Sequence, residues 1–175
     1  PWGLVVGPDN CIYIGTAGDE EQGGLLLRFD PKHPEKGVVN LGKMAASETY
    51  VWALVRGEGD GRIYGCSYGN GKVTAYDTRT GEFHDYGQMK TGQQYTRPLV
   101  VGKDGWVYTA AGMTDPDYIA LDPRTGEHHS SRAAEQAGTA PAELAQGAWA
   151  RFRKGIDGHA YQRDNGKWYR LIGGR

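Results

Sequence analysis

Long hydrophobic runs are what this sequence most plainly lacks: nothing approaches the ~18 apolar residues of a membrane-spanning helix. An excess of charge is missing too, since 20 Lys and Arg face 21 Asp and Glu for a formal net charge of −1. That balance gives no electrostatic case for nucleic acid or an anionic membrane surface as a partner. Cysteine is scarce. Cys11 lies two residues before Tyr13 and Cys66 two residues after Tyr64. Because the two occupy different places in otherwise similar stretches, they read as buried free thiols and not as a disulfide. Extended helical periodicity is also lacking, which excludes helical solenoids. No leader is legible, yet Pro1 is not a natural start, so localisation stays open, with a secreted or periplasmic site considered.

Glycine is abundant, 28 of 175 residues, which is roughly twice the usual ~7%. Tyrosine follows with 11 and tryptophan with 5. Many turns joining aromatic and β-branched runs make an all-β composition. These residues are also periodic. Asp77 and Asp122 lie 45 residues apart, and so do Gly42 and Gly87, Met44 and Met89, Tyr50 and Tyr95, and Leu54 and Leu99. Five kinds of landmark with one offset define a repeat protein.

Within each repeat an apolar stretch meets a turn: Trp2 to Val6 before Asp9-Asn10, Val51 to Val55 before Asp60-Gly61, Arg97 to Val101 before Asp104-Gly105. A fourth copy runs from Ala150 to Phe152 and turns at Asp157-Gly158. Such dipeptides tolerate the positive φ of two-residue hairpin turns. Four residues after each Asp stands a tyrosine, Tyr13, Tyr64, Tyr108 and Tyr161, which marks a second strand. A third strand ends in Asp77-Thr78-Arg79-Thr80-Gly81-Glu82 or in Asp122-Pro123-Arg124-Thr125-Gly126-Glu127. There the Asp bonds the backbone and the Gly supplies the left-handed residue of a longer hairpin loop. A fourth, edge strand closes the unit near Gly42 or Gly87.

Four antiparallel strands per ~45 residues is the pattern of a β-propeller blade. The expected blades are about 2–44, about 50–89, about 95–130, and an incomplete fourth at about 148–175. An alanine-rich insertion, Ser130 to Gly147, separates the last two and carries a short helix at Pro141 to Gln146. Because the fourth edge strand is missing, the stretch reads as part of a larger six- to eight-bladed ring, with a closed four-blade ring as the alternative.

The frame Gly61-Arg62-Ile63-Tyr64 followed by Tyr76-Asp77-Thr78-Arg79-Thr80-Gly81-Glu82 resembles the blades of quinoprotein-like and gluconolactonase-like propellers. It is also similar to the seven-bladed propellers found among polysaccharide lyases. The resemblance spans nearly the whole chain but lies in the frame, and frames host many functions. The Gly-His and Trp-Asp signature of WD repeats is absent, as is the paired glycine of kelch repeats.

Propeller ligands gather where inner strands and the loops beside them converge. On this chain that end carries Trp2, Tyr50, Trp52, Tyr95 and Arg97, with Tyr68 and Asn70 on a neighbouring loop. Aromatic faces stack on the apolar side of a pyranose, and Arg grips a carboxylate through paired hydrogen bonds. The glycan reading therefore assigns Tyr50, Tyr95 and Arg97 to lyase-type catalysis on an acidic polysaccharide. It assigns Trp2, Trp52, Tyr68 and Asn70 to holding the sugar. Its alternative is that the same aromatics only pack between neighbouring blades. Two other functions compete: a protein-interaction scaffold using the Ser130 to Gly147 loop, and a metal-dependent lactonase-like hydrolase. The last ranks lowest, because the inner strands carry no carboxylates. No metal constellation and no cofactor is expected, and Asp19-Glu20-Glu21 reads as a solvated loop before it reads as a calcium site.

Overall fold

A computed structural model describes residues 1–19, 21–113, 116–130, 152–164 and 166–175. Four antiparallel sheets follow one another along the chain, each in simple sequence order. Blade 1 comprises β1 (Gly3–Val6), β2 (Ile12–Gly15), β3 (Leu25–Phe29) and β4 (Val38–Lys43). Blade 2 comprises β5 (Tyr50–Arg56), β6 (Arg62–Tyr68), β7 (Lys72–Asp77) and β8 (Phe83–Gln88). Blade 3 comprises β9 (Thr96–Val101), β10 (Val107–Ala111), β11 (Asp117–Leu121) and β12 (His128–Ser130). Blade 4 has three strands, β13 (Phe152–Lys154), β14 (Ala160–Asp164) and β15 (Lys167–Leu171). These are β-propeller blades, and the sheets do not close into a ring. The expected insertion after Ser130, its helix at Pro141 to Gln146, and the start of the fourth blade lie outside the described residues.

The hairpin joining the first two strands of each blade is longer than the sequence pattern suggested. Gly7 N–H bonds Cys11 O, Gly102 N–H bonds Trp106 O and Gly155 N–H bonds His159 O, closing three-residue loops. In blade 2 Gly57 N–H bonds Arg62 O around a four-residue loop. Each loop ends on a left-handed residue, Asn10 at φ 64°, Gly61 at 77°, Gly105 at 83° and Gly158 at 80°, and the longer blade 2 loop holds a second at Gly59, φ 75°. A turn followed by one left-handed residue also matches strand twist, so the same dipeptides serve the longer loop.

Each loop Asp then receives the same two bonds, and Asp104 a third from Gly173 N–H. Its Oδ1 accepts the N–H two residues on, and its Oδ2 accepts the phenol four residues on: Tyr13 to Asp9 (2.9 Å), Tyr64 to Asp60 (2.5 Å), Tyr108 to Asp104 (3.3 Å), Tyr161 to Asp157 (2.7 Å). A buried hydroxyl needs such a partner. The spacing of four is therefore the reach of a tyrosine back over its own hairpin. Burial, and then the bond to the loop Asp, pushes the Tyr13 and Tyr64 phenols far above their ordinary range.

The cores lie between blades, with the tyrosine face of one blade packed on the front face of the next. Tyr13 and Leu26 of blade 1 meet Leu54, Ile63 and Tyr76 of blade 2. Tyr64, Cys66, Val73 and Ala75 meet Leu99, Val107, Ile119 and Leu121 of blade 3. Tyr108 and Ala120 meet Phe152, Ala160 and Leu171 of blade 4. Cys11 and Cys66 are buried free thiols, as read from their spacing.

The Asp-X-X-Thr-Gly-Glu turns lie between the third and fourth strands of blades 2 and 3. Arg79 and Arg124 fold back onto Asp77 and Asp122, and these ionic hydrogen bonds hold both carboxyls well below the usual range. Gly81 and Gly126 sit at φ 78° and 81°, and nothing lies within 3.7 Å of either added Cβ, the nearest atoms being at 3.8 and 3.9 Å. A valine there meets backbone strain and no clash. Gly81→Val and Gly126→Val should each cost about 1–2 kcal/mol, read as a fall in Tm of roughly 3–6 °C by thermal denaturation. An unchanged Tm would refute the left-handed assignment.

Candidate functional site

The inner strands of blades 2 and 3 are both bulged at the repeat position that carries the candidate side chains. In β5, Val51 pairs with Ser67 and Ala53 with Cys66, leaving Trp52 as the extra residue. In β9, Thr96 pairs with Ala111 and Leu99 with Thr109, so Arg97 and Pro98 stand opposite one residue. A bulge turns side chains out of the pleat and is favoured beside functional sites. Here it displaces the equivalent residues Trp52 and Arg97. In blade 1 the regular pairing begins at Gly3 opposite Gly15, and Trp2 N–H also bonds Gly15 O, so Trp2 and Gly3 face the same residue.

All five sequence-selected aromatics meet at this end. Tyr50 stacks on Trp52 with centroids 4.9 Å apart, and Trp2 meets the edge of Trp52 at 4.7 Å. Tyr68 lies 5.4 Å from Tyr50 and 4.5 Å from Tyr95, whose ring stacks on Trp52 at 5.9 Å. The Arg97 guanidinium sits over the Trp52 ring at 5.7 Å. The backbone assembles them: Tyr50 and Tyr68 are directly paired, and an isolated bridge joins Tyr68 to Tyr95. The four tyrosine and tryptophan rings at positions 50, 52, 68 and 95 are half-buried, Arg97 is exposed, and Trp2 is 53% exposed. The cluster thus packs between blades and keeps part of its surface exposed.

Burial pushes the Tyr95 phenol up, and Tyr68 beside it adds to the effect. Tyr95 is therefore a neutral hydrogen-bond donor at neutral pH. The Trp52 indole N–H is buried without an acceptor among the described residues.

Asn70 sits apart from the rings. Its side-chain Nδ2 donates to Glu48 Oε1 at 2.9 Å and to Ser47 O at 3.3 Å, so its amide faces the loop that leads into β5. That partner, Glu48, was not singled out by the sequence. It is 2% exposed, accepts the Asn70 backbone N–H at 2.9 Å and receives the Ser67 hydroxyl on its other oxygen. Ser67 also donates its N–H to Thr96 Oγ1 at 3.1 Å, and Thr96 donates to Lys72 O at 2.9 Å. This network ties the residues flanking Tyr68 to the residue between Tyr95 and Arg97. One signal could have found Glu48: a lone carboxylate just before an inner strand, flanked by Ser47 and Thr49.

A cleft of about 770 Å³ opens beside the cluster, lined by Trp52, Tyr95, Arg97, Met113, Phe152, Arg153 and Lys154 among others. Its cationic side chains come from blades 3 and 4. Lys154 also pairs with Glu58 across the far end of the inner strands. His33, His84, His128, His129 and His159 do not line the cleft. Among the described residues, no group of three or more His, Cys, Asp or Glu is placed to hold a metal ion. Asp19 caps its own turn through Gln22 N–H, while Glu20 lies outside the described residues.

No known protein family and no curated protein matches the sequence. Among solved structures, a catalytically inactive variant of virginiamycin B lyase from Staphylococcus aureus with quinupristin is similar, at a TM-score of 0.67 and 13% identity. A putative 6-phosphogluconolactonase from Bacteroides uniformis is similar at 0.58 and 15%. Puromycin hydrolase is similar at 0.52 and 18%, over 91% of this chain and 24% of its own. The first two cover 100% and 97% of this chain, which spans 53% and 52% of theirs, about half their length. At such identities the likeness establishes the propeller fold and no activity.

Proposed function

We propose that this chain is a ligand-binding propeller that recognises an acidic saccharide at the end of the inner strands. The observation that carries this reading is Arg97 held over Trp52 beside Tyr95, at the mouth of the cleft. A sugar ring stacks on the exposed aromatic surface while its carboxylate meets the guanidinium. Tyr95, neutral and donating, fits a sugar hydroxyl. Trp2 extends the platform, Tyr68 supports it from beneath, and Asn70 acts through the loop that carries Tyr68. The solved neighbours, named for a lyase, a lactonase and a hydrolase, support a ligand-binding propeller in general.

Calorimetric titration with oligouronates tests the reading. Arg97→Ala should weaken binding about ten- to a hundredfold, the loss of a charge-assisted pair worth about 1.5–3 kcal/mol. Trp52→Ala should weaken it about tenfold, and neutral oligosaccharides should bind wild type and Arg97→Ala alike. Absence of binding to every acidic saccharide would overturn the proposal. Lyase-type cleavage is the finer proposal, with Arg97 offsetting the carboxylate and Tyr50 or Tyr95 taking the α-proton. It predicts the ultraviolet absorbance of an unsaturated uronide, lost in Tyr50→Phe or in Tyr95→Phe.

A further inference from the structure

The cleft beside the ring cluster changes character along its length. Trp52, Tyr95 and Arg97 stand at its mouth, and beyond them the lining turns apolar. Residues 97 to 100 all border it, so the inner strand β9 runs along the cleft. Three residues of strand span roughly 10 Å, more than a single pyranose ring requires. The volume of about 770 Å³ likewise belongs to sites that enclose a drug-sized molecule, about 300–1,000 Å³. One uronate stacked on Trp52 therefore leaves most of the cleft unfilled. A second sugar is a poor occupant for the rest. Val100, Ala110 and Phe152 form a floor that is 7%, 0% and 2% exposed, and their side chains hold no polar atom. Pro98 has no N–H to offer, and its carbonyl already accepts the Thr109 hydroxyl at 2.7 Å. Met113, 68% exposed, stands at the rim with the half-buried Pro116. Lys154, also in the lining, is paired with Glu58. Sugar hydroxyls set against the floor would lose water without gaining partners.

We infer that the ligand is a uronide carrying an apolar, ring-sized aglycone. The uronate lies on Trp52 with its carboxylate at Arg97, and the aglycone fills the cleft between blades 3 and 4. This inference rests on the acidic-saccharide reading of the same site and names the class of saccharide. Its driving force is the apolar surface that the aglycone itself withdraws from water, together with the exposed side of Met113. The flexible, polarizable thioether of Met113 suits that place, since it adapts to irregular apolar shapes and contacts aromatic rings favourably. Charge and apolar body are thus recognised at opposite ends of one cleft, the first by Arg97 and the second by the floor and rim.

Calorimetric titration with methyl β-glucuronide and naphthyl β-glucuronide tests the inference apart from the reading beneath it. The naphthyl compound should bind at least about tenfold more tightly, with a more negative heat-capacity change from the apolar surface it buries. Met113→Ala, at an exposed position, should cut that preference by about threefold or more and leave the affinity for methyl β-glucuronide unchanged. Arg97→Ala should weaken both uronides by the same factor, because it acts on the part they share. Equal affinities for the two uronides would overturn the inference while the acidic-saccharide reading stands. So would a preference that Met113→Ala leaves intact, or a diuronate that binds more tightly than the naphthyl compound, which would assign the inner cleft to a second acidic sugar. Naphthyl β-glucoside bound as tightly as the glucuronide would keep the apolar cleft but refute the uronate, and with it both readings. Binding of neither uronide would overturn both as well.

Discussion

Tyr64→Ala should destabilise the protein by about 4 kcal/mol, the range for a large aromatic removed from a well-packed core, and lower Tm by roughly 10 °C. Tyr64 is 0% exposed and sits in the cluster joining blades 2 and 3. Its ring stacks on Tyr86 at 6.3 Å and its hydroxyl bonds Asp60. Two comparisons separate these contributions. Tyr64→Phe keeps the ring and loses only the bond, and Asp60 still accepts Arg62 N–H, so about 1 kcal/mol is expected. Tyr161→Ala removes the equivalent residue from blade 4, where the neighbours across the sheet are Arg153 and Arg170 and where, among the described residues, no other blade packs on that face. Its cost should be clearly smaller, about 2 kcal/mol. Chemical denaturation of the three variants provides the ranking. Equal losses for Tyr64→Ala and Tyr161→Ala would contradict the assignment of the tyrosine face to interblade packing.

Glu48→Ala should cost about 3 kcal/mol, because three donors lose a buried charged acceptor together. These are the Ser67 hydroxyl and the backbone and side-chain amides of Asn70. Ser67 keeps its contact with Lys72, but Asn70 Nδ2 keeps only Ser47 O and the Asn70 backbone N–H loses the acceptor it has among the described residues. Glu48→Gln should be far milder, at about 1 kcal/mol. Its carbonyl oxygen can still serve both Asn70 donors, and its amide can donate to Ser67 while the hydroxyl turns to Lys72 O. The site should respond as well: with Tyr68 between the two anchored residues, the near-ultraviolet circular dichroism of the ring cluster should weaken in Glu48→Ala and persist in Glu48→Gln. A Glu48→Ala protein with wild-type stability would show that the carboxylate is no anchor.

The repeat was legible because each of its landmarks answers a local demand. Gly81 and Gly126 hold left-handed turns, and Asp9, Asp60, Asp104 and Asp157 accept the tyrosine four residues on. Those demands act within one hairpin, so spacing alone reveals them. The length of the hairpin loops was less legible, since Asp-Gly suits a two-residue and a three-residue turn alike. The grouping of Trp2, Tyr50, Trp52, Tyr68, Tyr95 and Arg97 followed from the repeat offset, which says which residues share an end of the fold.

The position of Glu48 left a local signal, but its anchoring role was illegible for a physical reason. Its role depends on Ser67 and Asn70, and through Ser67 on Thr96, partners that only interblade packing brings together. The two bulges were equally hidden, because the extra residue at Trp52 or Arg97 is defined by pairing with a neighbouring strand.

By itself, then, the sequence determined the blade: strand count, turn positions, the tyrosine that marks each second strand, and the end of the fold where aromatics gather. Tertiary structure alone decided which of those aromatics touch, what anchors them, and which blade face is left uncovered. Leu4 and Leu99 occupy one register position, yet one is 63% exposed and the other 4%. A repeat specifies each unit through contacts near in sequence. Burial is decided by the neighbour on the other side, and that is a property of the assembled blades.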